Sequence, residues 1–425
     1  MLSASLAAGQ TSASGIPGPR AVDPVRVIVG RLNLDAYKQT IRGLAHFGDR
    51  RQGTARNRAA VDWIEAQLKR YGCTNTERIT YDYAGRQIQN DSTRRYDSLA
   101  RTAKGLPPLP PRGGGNGATG RGGAGGRGGI RDSAGFRIDR NGNIIKGNTA
   151  PTGVNMNPLL QPDTALRRIN AEPDSPGERQ EVFCTKVGST HPDEIYIVGG
   201  HMDGHGYGAA VNDDGSGTAL VMELARVFSG PDVVTDRSIR FILWNNEETG
   251  LNGARAYVEQ RQALQGIENP KGSGKYPEPR WVGMIQHDMI MWDHGMPGPD
   301  GKVSLDQRRE ADVNIEFAGT SKMADESEKL AWFFRRSNDK YATDYPAAVG
   351  DRMSNTDSDP FKDLTPTISL RENERLSQTG TGWNPTWHQP IDVFSTFSDK
   401  DFRLGLNAAQ TTLSAVAQLA GARLK

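Results

Sequence analysis

Thiols are nearly missing from this chain: Cys73 and Cys184 are the only cysteines, and no Cys-x-x-Cys pair occurs. Thiolate zinc sites and thioredoxin-type redox chemistry are thereby disfavoured. One disulfide in an oxidising compartment and two free, half-buried thiols are both compatible with the pair. Charge of one sign is lacking too. Lys+Arg 52 against Asp+Glu 50 leaves a net charge of +2, so no whole-protein field favours nucleic acid or an anionic membrane. No apolar run is long enough to span a bilayer. Hydrophobic residues reach only 36% of the chain while glycine numbers 50, which places part of it outside any core.

The N-terminal "MLSASLAAGQTSASG" has the small residues of a signal-cleavage region but no basic segment or full apolar stretch. Residues 1–25 read as a leader or the remnant of a trimmed signal, which would make the protein secreted or periplasmic. From about 84 to about 178 regular patterning collapses into "GLPPLPP" and "PRGGGNGATGRGGAGGRGG". Such composition cannot bury enough apolar surface to offset its ordering entropy. The Arg-Gly-Gly triplets starting at Arg112, Arg121 and Arg127 resemble those of RNA-binding proteins, but no aromatics are interleaved with them. Nucleic acid is therefore not an expected partner. The stretch reads as a solvated insertion in one domain spanning 26–425.

Outside it, periodicity is regular. "NRAAVDWIEAQLKRYG" spaces Val61, Ile64 and Leu68 as one helix face, and "ERITYDY" alternates as a strand. After "QEVFCTKV" come strand "DEIYIVGGH", helix "SGTALVMELARVF", strand "RSIRFILWNN" and helix "GLNGARAYVEQRQAL". Strand "RWVGMIQHDM", helix "ESEKLAWFFRRSND", strand "TPTISL" and helix "FRLGLNAAQTTLSAVAQLA" complete the series. Strands alternating with helices predict an α/β sheet covered on both faces. Function then belongs at the carboxyl ends of the strands.

Acids and histidines gather there. His201 and Asp203 follow "IYIVGG", Glu247 and Glu248 follow "FILWNN", and Asp288 follows "VGMIQH". A neutral imidazole suits a metal, and a nearby carboxylate such as Asp203 could orient His201 through its other ring nitrogen. In "NDDGSG", Asn212, Asp213, Asp214 and Ser216 could simply cap a helix, but one carboxylate can cap while its neighbour faces a site. Adjacent glutamates repel unless a cation or a shared proton offsets the repulsion. Of only 7 histidines, His201, His205, His287 and His388 lie in these patches. No short motif such as HExxH is present.

Jointly, "GGHMD", "NDDGSG", "NNEETGLNGARAY", "HDM", "SDPF" and "TWHQPID" resemble the M28 family of dizinc metallopeptidases, which includes secreted bacterial aminopeptidases. The resemblance runs from about 55 to the C-terminus, excluding the insertion. It implies a mixed, largely parallel central sheet with helices on both faces, and an exopeptidase acting on peptide or aminoacyl substrates. Two zinc ions are implied, with other divalent metals such as cobalt or manganese possible. By motif, His201 and Asp288 would bind the first ion, Glu248 and His388 the second, and Asp213 both. Glu247 would be the general base toward a water held between the ions, and Asp203 would orient His201. A cis peptide at Asp213–Asp214 is implied as well. His205, His287 and His294 match no ligand position, and Trp387 stands where some relatives carry a tyrosine. The loop "GIENPKGSGKYPEPR" is expected to line or cover the cleft. Two alternatives share the fold: a glutaminyl cyclase-like acyltransferase using one zinc, and a non-catalytic binding relative.

Overall fold

The computed structural model describes residues 22–83, 157–292, 313–372 and 386–425, with the backbone of 130–131 and 137–138. Eight strands form the main sheet: β1 (Thr76–Tyr83), β2 (Gly177–Lys186), β3 (His191–His201), β4 (Arg237–Trp244), β5 (Arg280–His287), β6 (Val313–Phe317), β7 (Ala347–Gly350) and β8 (Thr367–Arg371). Their spatial order is β1-β2-β4-β3-β5-β8-β6-β7. The central run β4-β3-β5-β8 is parallel, β6 and β7 also pair parallel, and the remaining pairs are antiparallel. This is the expected mixed, largely parallel sheet.

The helices are α1 (Pro24–Val29), α2 (Leu34–Ala45), α3 (Ala55–Arg70), α4 (Thr164–Asn170), α5 (Gly215–Phe228), α6 (Asn252–Arg261), α7 (Ala324–Tyr341) and α8 (Asp399–Leu419). Central strands bury both faces, so neighbouring residues enter opposite cores. Val198, Phe241 and Leu243 pack in the core with α2, α5 and α8. Ile197, Ile242 and Trp244 pack on the other side with Tyr257 of α6 and Phe361. That double burial is why the strands are continuous apolar runs. Helix boundaries follow caps. Thr54 accepts from Asn57 N at the start of α3, and Ser398 and Asp401 form a reciprocal capping box on α8.

Three expectations are corrected. Ordered structure returns before 178: Asp163 caps α4, and β2 already begins at Gly177. The expected leader overlaps the fold, because Asp23 caps α1 from Pro24. The loop 266–280 enters β5 at its N-terminal end. An eight-residue strand runs roughly 26 Å, so that loop lies across the sheet from Asp288 and does not cover the cleft. No helix among the described residues is long and apolar enough to cross a membrane.

Cys73 and Cys184 form a disulfide with Cα atoms 6.0 Å apart and a sequence separation of 111. It pins the segment after α3 to β2 and closes the loop that holds residues 84–156. Cross-linking so long a loop restricts the unfolded chain, by about 4–5 kcal/mol in the chain-entropy picture. Cys73→Ser with Cys184→Ser, or reduction, is expected to lower the denaturation midpoint with little change in the folded far-ultraviolet spectrum. An unchanged midpoint would refute this.

Candidate metal centre

The connection after β3 runs to β4 on one side and the connection after its neighbour β5 runs to β6 on the other, so a crevice opens between their carboxyl ends. His201 is the last residue of β3, Glu247 and Glu248 follow β4, Asp288 follows β5, and Arg371 ends β8. Asp213 comes from the loop before α5, and His388 from the loop before α8.

Asp214 is the hub that holds these ends. Its carboxylate caps α5 by accepting from Gly217 N at 2.8 Å, and it also accepts from His201 N at 3.0 Å and Met289 N at 3.2 Å. That leaves Asp213 turned to the crevice, and the Asp213–Asp214 peptide is cis. Asp392 fixes the approach to Asp213: its two carboxylate oxygens accept from Asn212 N at 2.8 Å and Asp213 N at 3.1 Å. The glutamate turn hangs from Asp203, whose oxygens accept from Glu247 N at 3.1 Å and Glu248 N at 3.4 Å.

Ligand-type atoms converge in a cavity of ≈ 40 Å³ lined by His201, Asp213, Glu247, Glu248, Asp288 and His388, with Arg371 and Trp387 at its wall. Asp213 Oδ1 lies 3.3 Å from His201 Nε2, while Asp213 Oδ2 lies 3.2 Å from His388 Nε2. His201 Nε2 is 3.8 Å from Asp288 Oδ1, and His388 Nε2 is 2.7 Å from Glu248 Oε2. Donors bonded to one zinc at 2.0–2.1 Å in a tetrahedral arrangement stand about 3.3 Å apart, so the Asp213 spacings suit cations, while His388 and Glu248 stand at hydrogen-bond distance and would part slightly to admit one. Glu248 Oε1 is buried with no hydrogen bond among the described residues. A buried carboxylate oxygen left that way is costly unless a cation meets it. His201, Glu247 and Asp288 also offer atoms within 4.8 Å of one another, as do His201, Asp213 and Glu248.

Electrostatics give the same sense. Burial would lift the Asp213 carboxyl, but the His201 and His388 imidazoles hold it far below the usual carboxylate range. Burial likewise opposes the charged form of Asp288, and Arg371 and His201 overcome it, bringing the group down to about 2. His388 is disfavoured as a cation by burial, yet Glu248 and Asp213 push it up to about 11. A field that retains a proton on a buried imidazole is one that a metal cation would satisfy by displacing that proton. Glu247 differs. Burial raises it well above the ordinary glutamate value, with His201 opposing and Glu248 reinforcing.

Six of the seven residues singled out in the sequence line this cavity, and the buried Asp203 lies behind it, acting differently from expectation. His201 Nδ1 lies 3.0 Å from the Asp203 main-chain carbonyl and 3.9 Å from its carboxylate, which is occupied by the glutamate turn. His205 flanks the site, its ring 5.5 Å from that of His388. His287 is buried between Gly199 O and Thr412 Oγ1, where burial lowers it to about 4 and keeps it neutral. His294 lies outside the described residues. Arg371 and Asp392 were not foreseen. Arg371 Nη2 donates to Asp288 Oδ2 at 2.6 Å, leaving Oδ1 to face His201. A charged residue directly after the apolar "TISL" was the available signal for it.

The fold and site define a class: an α/β protein whose sheet gathers imidazoles and carboxylates at its carboxyl edge, in groups that could hold metal ions. The chain belongs to peptidase family M28, whose family model matches residues 181–411. It is 32% identical over 140 residues to a probable lipoprotein aminopeptidase, LpqL, of Mycobacterium tuberculosis, covering 32% of this chain and 23% of that protein. It is 42% identical over 69 residues to the aminopeptidase YwaD of Bacillus subtilis, 16% of this chain and 14% of that one. The matched stretches thus span under a quarter of these curated relatives. Among solved structures, the aminopeptidase of Aneurinibacillus sp. strain AM-1 superposes with a TM-score of 0.56 at 18% identity, covering 94% of this chain and 97% of that one. A zinc aminopeptidase from Bacillus subtilis does so at 0.55 and 14% identity, covering 91% and 95%. These two likenesses establish the shared fold.

Proposed function

We propose that the protein is a metal-dependent exopeptidase, an aminopeptidase that releases residues from peptide or aminoacyl substrates and works with two zinc ions. The observation that carries this reading is the bridging geometry of Asp213, with one oxygen toward His201 and the other toward His388. His201, Asp213 and Asp288 would hold the first ion; Asp213, Glu248 and His388 the second. Imidazole and carboxylate donors suit zinc and accept cobalt or manganese. Bound there, the ions supply Lewis acidity toward the scissile carbonyl and make water easier to deprotonate.

The chain's own groups do the rest. Glu247, buried and raised in proton affinity, accepts the proton of the attacking water and returns it to the departing amine. Asp203 aims Glu247 and Glu248 through their N–H groups and fixes the His201 ring by its carbonyl. Arg371 keeps Asp288 ionised and presents a single oxygen. The aminopeptidase names of the relatives support the exopeptidase reading. The Cys73–Cys184 disulfide and the lipoprotein relative support export to an oxidising compartment.

Dialysis against a chelator is expected to abolish release of product from a panel of aminoacyl reporter substrates, and zinc or cobalt to restore it. Metal analysis should return two ions per chain. Metal-loaded protein that releases no product from any member of the panel would overturn the reading; one ion per chain without hydrolysis would point to the cyclase-type alternative.

A further inference from the structure

His388 is the least supported of the proposed ligands. A ligating imidazole ordinarily donates its second N–H to a carboxylate or carbonyl, which sets its orientation. His388 Nδ1 is buried and has no such partner among the described residues. Its backbone sits at φ 55, in the left-handed region, which a non-glycine residue keeps only where its surroundings impose it. The ring is stacked on Trp387 at 4.3 Å, and Trp387 belongs to the same loop. The position of that loop must therefore aim the imidazole.

The loop is packed against the segment 202–214, which leads to Asp213. At Gly206 (φ 90) an added Cβ would lie 2.2 Å from the His388 carbonyl carbon, so only glycine allows this approach. Ala209 N donates to Asp392 O at 2.7 Å. A third element joins the two. Gln161, 2% exposed, donates from Nε2 to Tyr207 O at 2.8 Å and to Pro390 O at 2.8 Å, one carbonyl from each loop. Its Oε1 accepts from Asp163 N at 3.0 Å, which fixes the amide orientation and commits both N–H bonds to the carbonyls. Nine residues on, the buried Asn170 donates to Gly208 O at 2.6 Å and accepts from Asp49 N at 2.9 Å.

We infer that Gln161 is a positioning residue for the second cation: its amide bolts the loop bearing His388 to the loop leading to Asp213, so that the segment 158–170 sets the affinity of the Asp213–Glu248–His388 half of the centre. This rests on the two-ion reading above. Without the amide donor, Tyr207 O and Pro390 O lose a shared partner, and the His388 loop can drift from Asp213 and Glu248 while the His201 half keeps its own supports. By linkage, filling the second site must in turn stabilise segment 158–170.

The test is titration of metal-depleted protein with cobalt(II), followed by its visible absorption. The variants are Gln161→Met, which keeps the volume, and Gln161→Glu, which keeps the shape but loses the donor. Both are expected to bind the first equivalent as the wild type does and the second about 10–100-fold more weakly. Excess metal should then restore kcat with KM unchanged. Wild-type protein that takes up two ions, beside variants whose second equivalent binds as tightly, overturns the role of Gln161 alone. Wild-type protein that takes up only one ion overturns the two-ion centre, and this inference with it. Should neither variant fold, hydrogen exchange on the wild type decides: the second equivalent must slow exchange in 158–170 as well as in 386–392. Slowing confined to 386–392 refutes the inference.

Discussion

Glu247→Gln is expected to lower kcat by about 10²–10⁴-fold while metal content stays at the wild-type level. The substitution keeps size and burial and removes only the ability to accept a proton. Two roles compete for this residue, because a Glu247 oxygen lies within 4.8 Å of ligand atoms of His201 and Asp288. As a ligand it would take metal away when replaced. The pairings argue otherwise. Asp213, shared between His201 and His388, gives each proposed ion three protein donors without Glu247. Glu247 also lies at the end of β4 on the turn held by Asp203, beside and not between the His201–Asp213–His388 contacts. Metal analysis beside steady-state kinetics decides between the roles. Loss of an ion from the glutamine variant would make Glu247 a ligand and leave the base unassigned.

Much of this was legible because strand ends carry chemistry and strand middles carry burial. "IYIV" and "FILW" stood out as strands because both faces are covered, and the acids after them marked the crevice. The strands β6 and β7 gave no such signal. "VNIEF" does alternate apolar and polar residues, but Asn314 and Glu316 are buried too, so it is no continuous apolar run, and "AAVG" is too short to show a period. Helix α2 was readable in principle, since Tyr37, Ile41 and Leu44 share a buried face behind the Asn33 cap, although it follows a glycine- and proline-rich start. Within the site, the side chains that line the cavity were legible by type; those that hold them in place were not. Arg371 meets Asp288 across 83 positions, and Asp392 meets Asp213 across 179. No spacing rule foretells a contact between two loops so far apart. Gln161 was hidden for another reason, since it lies in a stretch whose composition argued against any fixed structure.

Asp213→Asn is expected to cost both ions, where Glu248→Gln weakens the second alone. Every other proposed ligand serves one cation, but Asp213 presents Oδ1 to the His201 side and Oδ2 to the His388 side. An asparagine supplies one oxygen and, on the other side, an NH₂ that donates where a cation should sit. With Glu248, the lost carboxylate is also one of the two acids that hold His388 in its raised state. Removing it lowers the attraction felt at both positions at once. The variant should therefore purify with less than one tightly held ion per chain and show activity near background even in excess zinc, whereas the glutamine variant at 248 should recover part of its kcat as metal is raised. Asp214 offers no rescue, because its oxygens are already committed to Gly217 N, His201 N and Met289 N at the ends of α5, β3 and β5. Retention of two tightly bound ions in the asparagine variant would show that the cations do not share this carboxylate. The centre would then have to be rebuilt as two separate sites.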